Sequence, residues 1–241
     1  MNIDGLRKLW QIVFGDTSSF LDAFFQIAFS PDRCRYLSEG NEVICSLYWF
    51  DCEYDGGKLA YIYAVGTHPD HRGKGLASQL LRDTHAHLKA LGYAGAVLKP
   101  GTKDLFSFYE RLGYVTSGYV RRFTVTESDS PAELEELSAA EYGLRRRQFL
   151  PENGILQEGA TLDLLSTFAD FYAAEDALFC VSKSEPLIYE YLGNPNSAPD
   201  IVAAFGIPNN EFQTYGDEIP YAMFYPLNCT KIPGYLGLSL D

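Results

Sequence analysis

Apolar residues recur at two different spacings along the chain, and the change in spacing predicts an alternation of helices and strands. Residues 6–14 and 20–28 carry apolar side chains at helical spacing. Gly15 ends the first predicted helix, Asp16 can cap the second, and Pro31 breaks it. Residues 33–37, 42–50 and 61–67 are rich in β-branched and aromatic residues. Turn sequences at 39–41 and 55–57 separate them, which predicts three strands joined by hairpins.

The pattern returns to helical spacing after residue 69 and then alternates again. Leucines from 76 to 91 predict a long helix, and residues 94–99 predict a strand. A short amphipathic helix is predicted from residue 104 until Gly113 closes it, and a strand then begins at Tyr114. The order of the first half is therefore two helices, three strands, helix, strand, helix and strand.

A polar stretch at 126–130 predicts a domain boundary, giving domains 1–125 and 126–241. The run Ser-Pro-Ala-Glu at 130–133 predicts the start of a helix that ends near the basic triplet at 145–147. A second helix is predicted at 162–174 and a hairpin at 177–182 and 187–192. A short helix at 199–205 and strands at 221–227 and 235–240 complete the second half. Both halves are thus expected to be α+β.

Charge and composition narrow the class of partner. A net charge of −13 argues against nucleic acid, which favours a basic face. No apolar run is long enough to span a bilayer, and the N-terminus lacks a basic region followed by an apolar stretch. The five cysteines are scattered without Cys-x-x-Cys spacing. We therefore expect a cytoplasmic protein with reduced thiols and no metal site.

The most informative segment is the glycine turn between the predicted strand 61–67 and the helix from residue 76. Arg72, Gly73, Lys74 and Gly75 lie where that helix begins. Glycines allow close approach of the backbone, and the free N–H groups of a first helical turn attract anions. The turn therefore predicts a pyrophosphate site. Because the whole chain is acidic, an anionic ligand needs a local cationic patch. The candidates for that patch are Arg72, Lys74, Lys99 and Lys103.

Two other kinds of phosphate-binding loop match this turn less well. A Walker A loop fails because Gly75 stands where the magnesium-binding Ser or Thr would be. A dinucleotide fingerprint fits poorly but stays open, since Ser78 replaces its third glycine and the next strand carries a lysine instead of an acid.

The turn and a second motif resemble the GNAT acetyltransferase superfamily. Arg72, Gly75 and Ala77 match the Arg/Gln-x-x-Gly-x-Gly/Ala of its motif A, which binds the pyrophosphate of acetyl-CoA. Phe108-Tyr109 followed by Gly113-Tyr114 matches the end of its motif B. The resemblance implies a mixed central sheet flanked by helices. The cofactor-binding residues that it implies are Val65, Gly66, Thr67, Arg72, Gly73, Lys74, Gly75, Leu76, Ala77, Ser78 and Thr102.

The resemblance also implies a reaction. An amine of a small molecule or peptide would attack the thioester of acetyl-CoA directly, and Tyr109 would protonate the leaving thiolate. A family glutamate that acts as base in some members has no counterpart before Tyr109, and Thr102 stands where an Asn is often found. Glu53, Asp51, His68, His71 or a water wire are the remaining candidates for the base. A non-catalytic CoA-binding sensor or assembly protein is the alternative function.

Two features depart from the family pattern or match it less closely. The strand that usually precedes the first helix is absent or reduced to residues 1–3. The second half repeats the order of elements without either motif, so it resembles the degenerate lobe of tandem GNAT proteins. An unrelated accessory domain or a dimerisation surface is the other interpretation, and a homodimer stays open. The basic triplet at 145–147 is expected to interact with a helix dipole rather than a CoA phosphate.

Overall fold

A computed structural model describes residues 1–184, 187–205 and 211–240, and the chain forms two compact units. Unit 1 comprises Met1–Val115 and Met223–Lys231, and unit 2 comprises Thr116–Ala222 and Ile232–Asp241. This division by packing assigns a late segment, 223–231, to the N-terminal unit. The domain division at 125/126 predicted from the sequence stays a prediction.

Unit 1 contains the helices and strands that the hydrophobic pattern predicts. Its helices are α1 (Ile3–Phe14), α2 (Ser18–Ala23), α3 (Leu76–Ala90) and α4 (Lys103–Glu110). Its strands are β1 (Cys34–Glu39), β2 (Glu42–Tyr54), β3 (Gly57–Thr67) and β4 (Gly95–Leu98).

The cap of α2 differs from the prediction. The side chain of Thr17 accepts the Phe20 amide, whereas Asp16 accepts the indole N–H of Trp10 at 2.7 Å. The predicted second helix also changes type, because Phe24–Ala28 forms one π-helical turn.

The sheet of unit 1 is mixed. β1, β2 and β3 pair antiparallel in that order, and β3 pairs parallel with β4. Residues 223–226 pair antiparallel with β4 as its other neighbour. Adjacent residues of a strand point to opposite faces. Tyr48 contacts Trp10 of α1, whereas Trp49 shares a buried cluster with Leu81 of α3. The two helices therefore cover opposite faces, as expected for a mixed sheet flanked by helices.

Unit 2 is also α+β, with a mixed sheet. Its helices are α5 (Ala139–Phe149), α6 (Ala160–Leu165) and α7 (Ala198–Phe205). The strands that begin after residue 114 are β5 (Val115–Thr124), β6 (Glu135–Leu137), β7 (Leu156–Gln157), β8 (Ala169–Ala174), β9 (Ala177–Ser182), β10 (Leu187–Gly193), β11 (Glu211–Tyr215) and β12 (Ile219–Pro226). Within unit 2 the order is β5-β11-β10-β9-β8-β6, and only β10 and β11 run parallel among the pairs that the described residues form.

Three predictions for the second half are corrected, and one strand was missed. The helix begins at the capping box of Ser138 and Glu141, and residues 135–137 upstream of it form β6. Residues 169–174, predicted as helix, form β8 with alternating burial. Residues 211–215, for which no element was predicted, form β11. Residue 235 makes an isolated bridge to Gly154, and 235–240 contains no strand.

The basic triplet lies near the end of α5, with Arg146 and Arg147 in the last turn of that helix. Arg145 and Arg147 pair with the carboxylates of Glu135 and Glu158, and Arg146 is fully buried against Glu190 at 2.6 Å. Tyr142 and Tyr235 donate their hydroxyls to the same carboxylate at 2.7 and 3.0 Å. The triplet therefore forms ion pairs inside unit 2 in addition to lying where cations interact with the helix dipole.

Candidate functional site

The glycine turn predicted to hold a diphosphate lies in unit 1, between a 3-10 turn at Pro69–His71 and α3. Gly73 and Gly75 both have φ +76°, and no heavy atom lies within 4 Å of a Cβ built on either. Space does not exclude a side chain there, but the left-handed backbone favours glycine. The conformation of the turn therefore depends on these two residues.

The start of α3 is an uncapped helix N-terminus. Gly75 is its N-cap residue, and no side chain among the described residues accepts a hydrogen bond there. The starts of α2 and α5, in contrast, are capped by Thr17 and Ser138. Free N–H groups and the positive end of the helix dipole favour a negative ligand.

Cationic side chains surround this turn. Arg72 is exposed, and its Nε donates to the carbonyl of Thr67 at 3.3 Å. The Nζ of Lys74 lies 3.5 Å from the Nδ1 of His71, which in turn lies 3.6 Å from a carboxylate oxygen of Glu39. Backbone donors and a guanidinium thus occur together at one place, an arrangement that suits a phosphate.

A cavity of about 480 Å³ opens beside the turn and brings most of the predicted site residues together. Its walls include Val65, Thr67, Arg72, Gly73, Gly75, Leu76, Ala77, Ser78 and Tyr109, all of them predicted. Gly66, Lys74 and Thr102 were also predicted but do not line it, and neither do Lys99 and Lys103. Val13, His71, Leu105 and Phe108 complete the wall.

The four additional wall residues come from three different elements. His71 ends the 3-10 turn at Pro69–His71. Val13 belongs to α1, and Leu105 and Phe108 belong to α4. Their apolar character fitted a helical face equally well, so the sequence alone did not distinguish a cavity wall from core. Phe108 could have been found, because it precedes Tyr109 in the second motif.

A β-bulge interrupts β3 just before the turn. Ser46 pairs with Gly66 and Tyr48 pairs with Tyr63, so two residues of β3 oppose one of β2. Ala64 in this bulge has φ +48°, which is uncommon for a residue with a side chain. A Cβ on Gly66 would come within 3.2 Å of the Phe14 ring. The absence of a side chain at 66 therefore lets α1 pack closely on this part of the strand.

β3 and β4 pair over only part of their length. The parallel register joins residues 59–61 to 95–97, whereas β3 continues to Thr67. The backbone of residues 62–67 thus extends beyond the paired segment, beside the cavity that Val65 and Thr67 line. An extended ligand can hydrogen-bond to such backbone groups as an added strand would.

Tyr109 lies on α4 in a cluster of aromatic rings. It is 7% exposed, and its ring centroid lies 5.5 Å from that of Tyr114. The Tyr114 hydroxyl lies 2.8 Å from Nε2 of His85, and burial lowers the pKa of His85 to about 4. Burial also holds the pKa of the Tyr114 hydroxyl well above its usual value. The groups behind Tyr109 are therefore neutral at pH 7.

The four residues that are candidates for the base differ in their partners and in whether they line the cavity. Burial raises the pKa of Asp51, but hydrogen bonds from Tyr93 and Lys58 hold it below its usual value overall. That carboxylate also pairs with Arg33, so it is engaged in the fold. His68 and Glu53 do not line the cavity. His71 does, and it is the candidate that the structure brings nearest to the glycine turn.

Among the described residues, none of the helices combines the length and the apolar composition needed to cross a bilayer.

The N-terminal part of the chain matches a known protein family. Residues 2–116 match the family model described as acetyltransferase (GNAT) domain. A comparison with curated protein sequences gave no match.

Solved structures resemble this chain along most of its length. A GCN5-related N-acetyltransferase of Kribbella flavida matches at 17% identity and a TM-score of 0.72, covering 94% of this chain and 69% of its own. One from Anabaena variabilis matches at 17% identity and a TM-score of 0.66, over 93% and 71%. Eis1 of Mycobacterium abscessus matches at 11% identity and 0.63, over 95% and 72%. At these identities the likeness establishes the fold.

Proposed function

Because residues 2–116 form a domain of the GNAT acetyltransferase family, we propose that this chain is an N-acetyltransferase. It transfers the acetyl group of acetyl-CoA to the amine of a small molecule or peptide. One observation carries the proposal. The left-handed glycine turn, the uncapped start of α3 and Tyr109 all meet at a single cavity.

In this proposal the turn holds the diphosphate of acetyl-CoA. The amides from Gly73 to Ser78 donate to its oxygens, and Arg72 and Lys74 neutralise its charge. The apolar wall residues Val13, Leu105 and Phe108 suit the aliphatic arm of the cofactor. Thr102, the N-cap residue of α4, lies outside the cavity wall, so its role as a cofactor contact rests on the sequence alone.

The end of β3, on the side where it extends past its pairing with β4, holds the pantetheine arm. Val65 lies in the β-bulge, Gly66 and Thr67 follow it, and all three lie past the last residue pair with β4. A backbone N–H near Val65 would donate to the thioester oxygen, on which negative charge grows in the transition state. One fixed donor at such an oxygen is typically worth about 100-fold or more in rate.

The chemistry is a direct displacement. The amine nitrogen bonds to the carbonyl carbon, the tetrahedral intermediate breaks its C–S bond, and the thiolate takes the proton of the Tyr109 hydroxyl. The displaced amine proton leaves through His71 or through water, and Tyr109 is reprotonated from solvent. No cysteine lines the cavity, so none of its wall residues offers a thiol for a covalent acetyl-enzyme.

A non-catalytic CoA-binding sensor or assembly protein is the second candidate. The composition of the cavity wall favours it. Among the described residues that line the cavity there is no Asp or Glu that could serve as a base. In that case the same residues would bind acetyl-CoA and no amine would be acetylated.

Measurement of CoA thiol release separates the two candidates. The chain is incubated with acetyl-CoA and a panel of polyamines, aminoglycosides and peptides, and acetyl-CoA binding is measured in parallel by calorimetry. Release that depends on an added amine supports the enzyme, and binding without release for any amine supports the sensor. The absence of acetyl-CoA binding contradicts both.

A matched pair of variants tests the site itself. Arg72→Glu places a carboxylate against the diphosphate and should weaken acetyl-CoA binding about tenfold or more. Arg82→Glu makes the same charge change on an exposed residue of α3 outside the cavity and should leave the affinity nearly unchanged. Equal affinities of the two variants would refute the site.

Two further proposals concern the whole chain. The C-terminal part, 126–241, is a degenerate GNAT-like lobe, which the α+β make-up of unit 2 supports. The protein is cytoplasmic, which the five unpaired thiols support because reduced cysteines are usual in that compartment.

A further inference from the structure

Unit 2 contains a cavity of its own, unrelated to the glycine turn of unit 1. Its volume is about 420 Å³, within the range of pockets that hold small molecules. The wall includes Arg121 from β5, Thr214 and Tyr215 from β11, and Asp217 and Glu218 from the turn that follows β11. None of these residues takes part in the proposed acetyl transfer.

Arg121 is the unusual residue of this cavity. Its Nε atom is buried and has no hydrogen-bond partner among the described residues. Its guanidinium carbon lies 5.3 Å from the centre of the Phe123 ring. Because this atom is shielded from the cavity, a ligand there would not reach it. Arg121 as a whole is only half-buried and lines the cavity, so the terminal nitrogens of its guanidinium are the donors available to a ligand.

The next residue along β5 provides the contrast. Arg122 donates to the amide oxygen of Gln213 through two nitrogens and pairs with the carboxylate of Glu211 at 3.1 Å. The two arginines are consecutive in an extended strand, so their side chains point to opposite faces. One guanidinium is engaged by the fold, and the other lines the cavity.

The wall of the cavity also carries negatively charged side chains. Asp217 and Glu218 are exposed, and neither forms an ion pair with Arg121 among the described residues. A guanidinium binds a carboxylate through two parallel N–H bonds, and carboxylates attract an ammonium group. Because the chain carries a net charge of −13, a ligand with no net charge avoids the repulsion that a simple anion would meet.

We propose that this cavity binds a free α-amino acid in its zwitterionic form. The carboxylate of the ligand pairs with Arg121, and its ammonium faces Asp217 and Glu218. The ring of Tyr215, which is 53% exposed, gives an apolar wall for the ligand side chain. The proposal concerns unit 2 alone and does not depend on the function of unit 1.

Three probes of similar shape test it. L-Phenylalanine carries both charges, 3-phenylpropanoate lacks the ammonium, and 2-phenylethylamine lacks the carboxylate. Each is titrated into the full chain, and the dissociation constant is followed by NMR. We expect L-phenylalanine to bind about tenfold or more tightly than either analogue.

Matched variants assign the binding to the cavity. Arg121→Gln should weaken L-phenylalanine binding about tenfold or more, whereas Arg122→Gln should leave it nearly unchanged. Since a variant could fail to fold, thermal melting is measured for both, and Asp217→Asn with Glu218→Gln provides a second test. That double variant should weaken L-phenylalanine and leave 3-phenylpropanoate unaffected.

Four results would contradict the proposal, and each can be distinguished from the others. If 3-phenylpropanoate binds as tightly as L-phenylalanine, the site binds carboxylates and the zwitterion proposal is wrong. The proposal is also wrong if 2-phenylethylamine binds as tightly, if folded Arg121→Gln binds normally, or if none of the three probes shows saturable binding.

Discussion

At the scale of single residues, the buried polar groups divide into those that complete the fold and those that face a cavity. Arg146 and Glu190 satisfy each other, and Tyr142 and Tyr235 supply further donors to the carboxylate. The buried Tyr109 and the half-buried Arg121 instead lie on cavity walls. Substitution in the first group should change stability, and substitution in the second should change binding or rate.

Tyr109→Phe removes the proton proposed for the leaving thiolate while keeping the ring. We expect the turnover number to fall about 100-fold, because general acid catalysis typically contributes that much or more, with little change in acetyl-CoA affinity. Thiol release and calorimetry measure the two quantities. Tyr36→Phe, a half-buried tyrosine of β1 outside the cavity, is the control. Wild-type turnover by folded Tyr109→Phe would remove the acid role.

Glu190→Ala leaves the fully buried Arg146 guanidinium without its counter-charge. We expect the free energy of unfolding to fall by about 3–5 kcal/mol in urea titrations. The exposed pair of Arg145 and Glu135 is the comparison, and Glu135→Ala should have little effect. Similar losses in the two variants would mean that burial of the pair is not what stabilises unit 2.

At the scale of elements, prediction from sequence succeeded where the signal was local. The strand at 61–67, the glycine turn and the helix from 76 follow from composition, a proline and helical spacing within one segment. The start of α5 was missed because two cap signatures lie close together, at 130–133 and 138–141. Pairing of β6 with β8 decides between them, and that contact joins residues distant in sequence.

The candidate site shows the same limit. The residues of the turn were predicted because their spacing is itself the signal, whereas Val13 reaches the cavity from a helix about sixty residues earlier. Similarly, β8 was predicted as helix because its apolar residues continue those of α6. Its alternating burial exists only once the strand pairs with β9.

The turn before α3 gives an element-scale prediction. Gly75→Ala puts a side chain at φ +76°, which should cost about 1–2 kcal/mol and distort the anion site. Gly40→Ala makes the same change at φ +58° in the hairpin between β1 and β2, outside the cavity. Both variants should lose stability in urea, and only Gly75→Ala should also bind acetyl-CoA more weakly. Loss of affinity in both, or in neither, would contradict the role of the turn.

At the scale of the whole molecule, acid should destabilise the protein partly through one buried histidine. His85 is 5% exposed, and burial lowers its pKa to about 4 from the ordinary value of 6.5. Between these two values the unfolded chain binds a proton that the folded chain does not. The free energy of unfolding therefore falls as pH drops through this window.

Comparison of the wild type with His85→Gln isolates that contribution. A glutamine can still accept a hydrogen bond from Tyr114, but it does not titrate. The wild type should lose about 3 kcal/mol more than the variant between pH 6.5 and 4, measured by urea unfolding at each pH. Parallel pH profiles for the two proteins would show that His85 is not the group responsible.

The most direct test of the whole account is a crystal structure of this chain grown with acetyl-CoA. We predict that the two phosphates of the acetyl-CoA diphosphate lie within hydrogen-bonding distance of the main-chain nitrogens of residues 73–78. The thioester sulfur should lie beside the Tyr109 hydroxyl. A diphosphate bound elsewhere, or a sulfur remote from that hydroxyl, would contradict it.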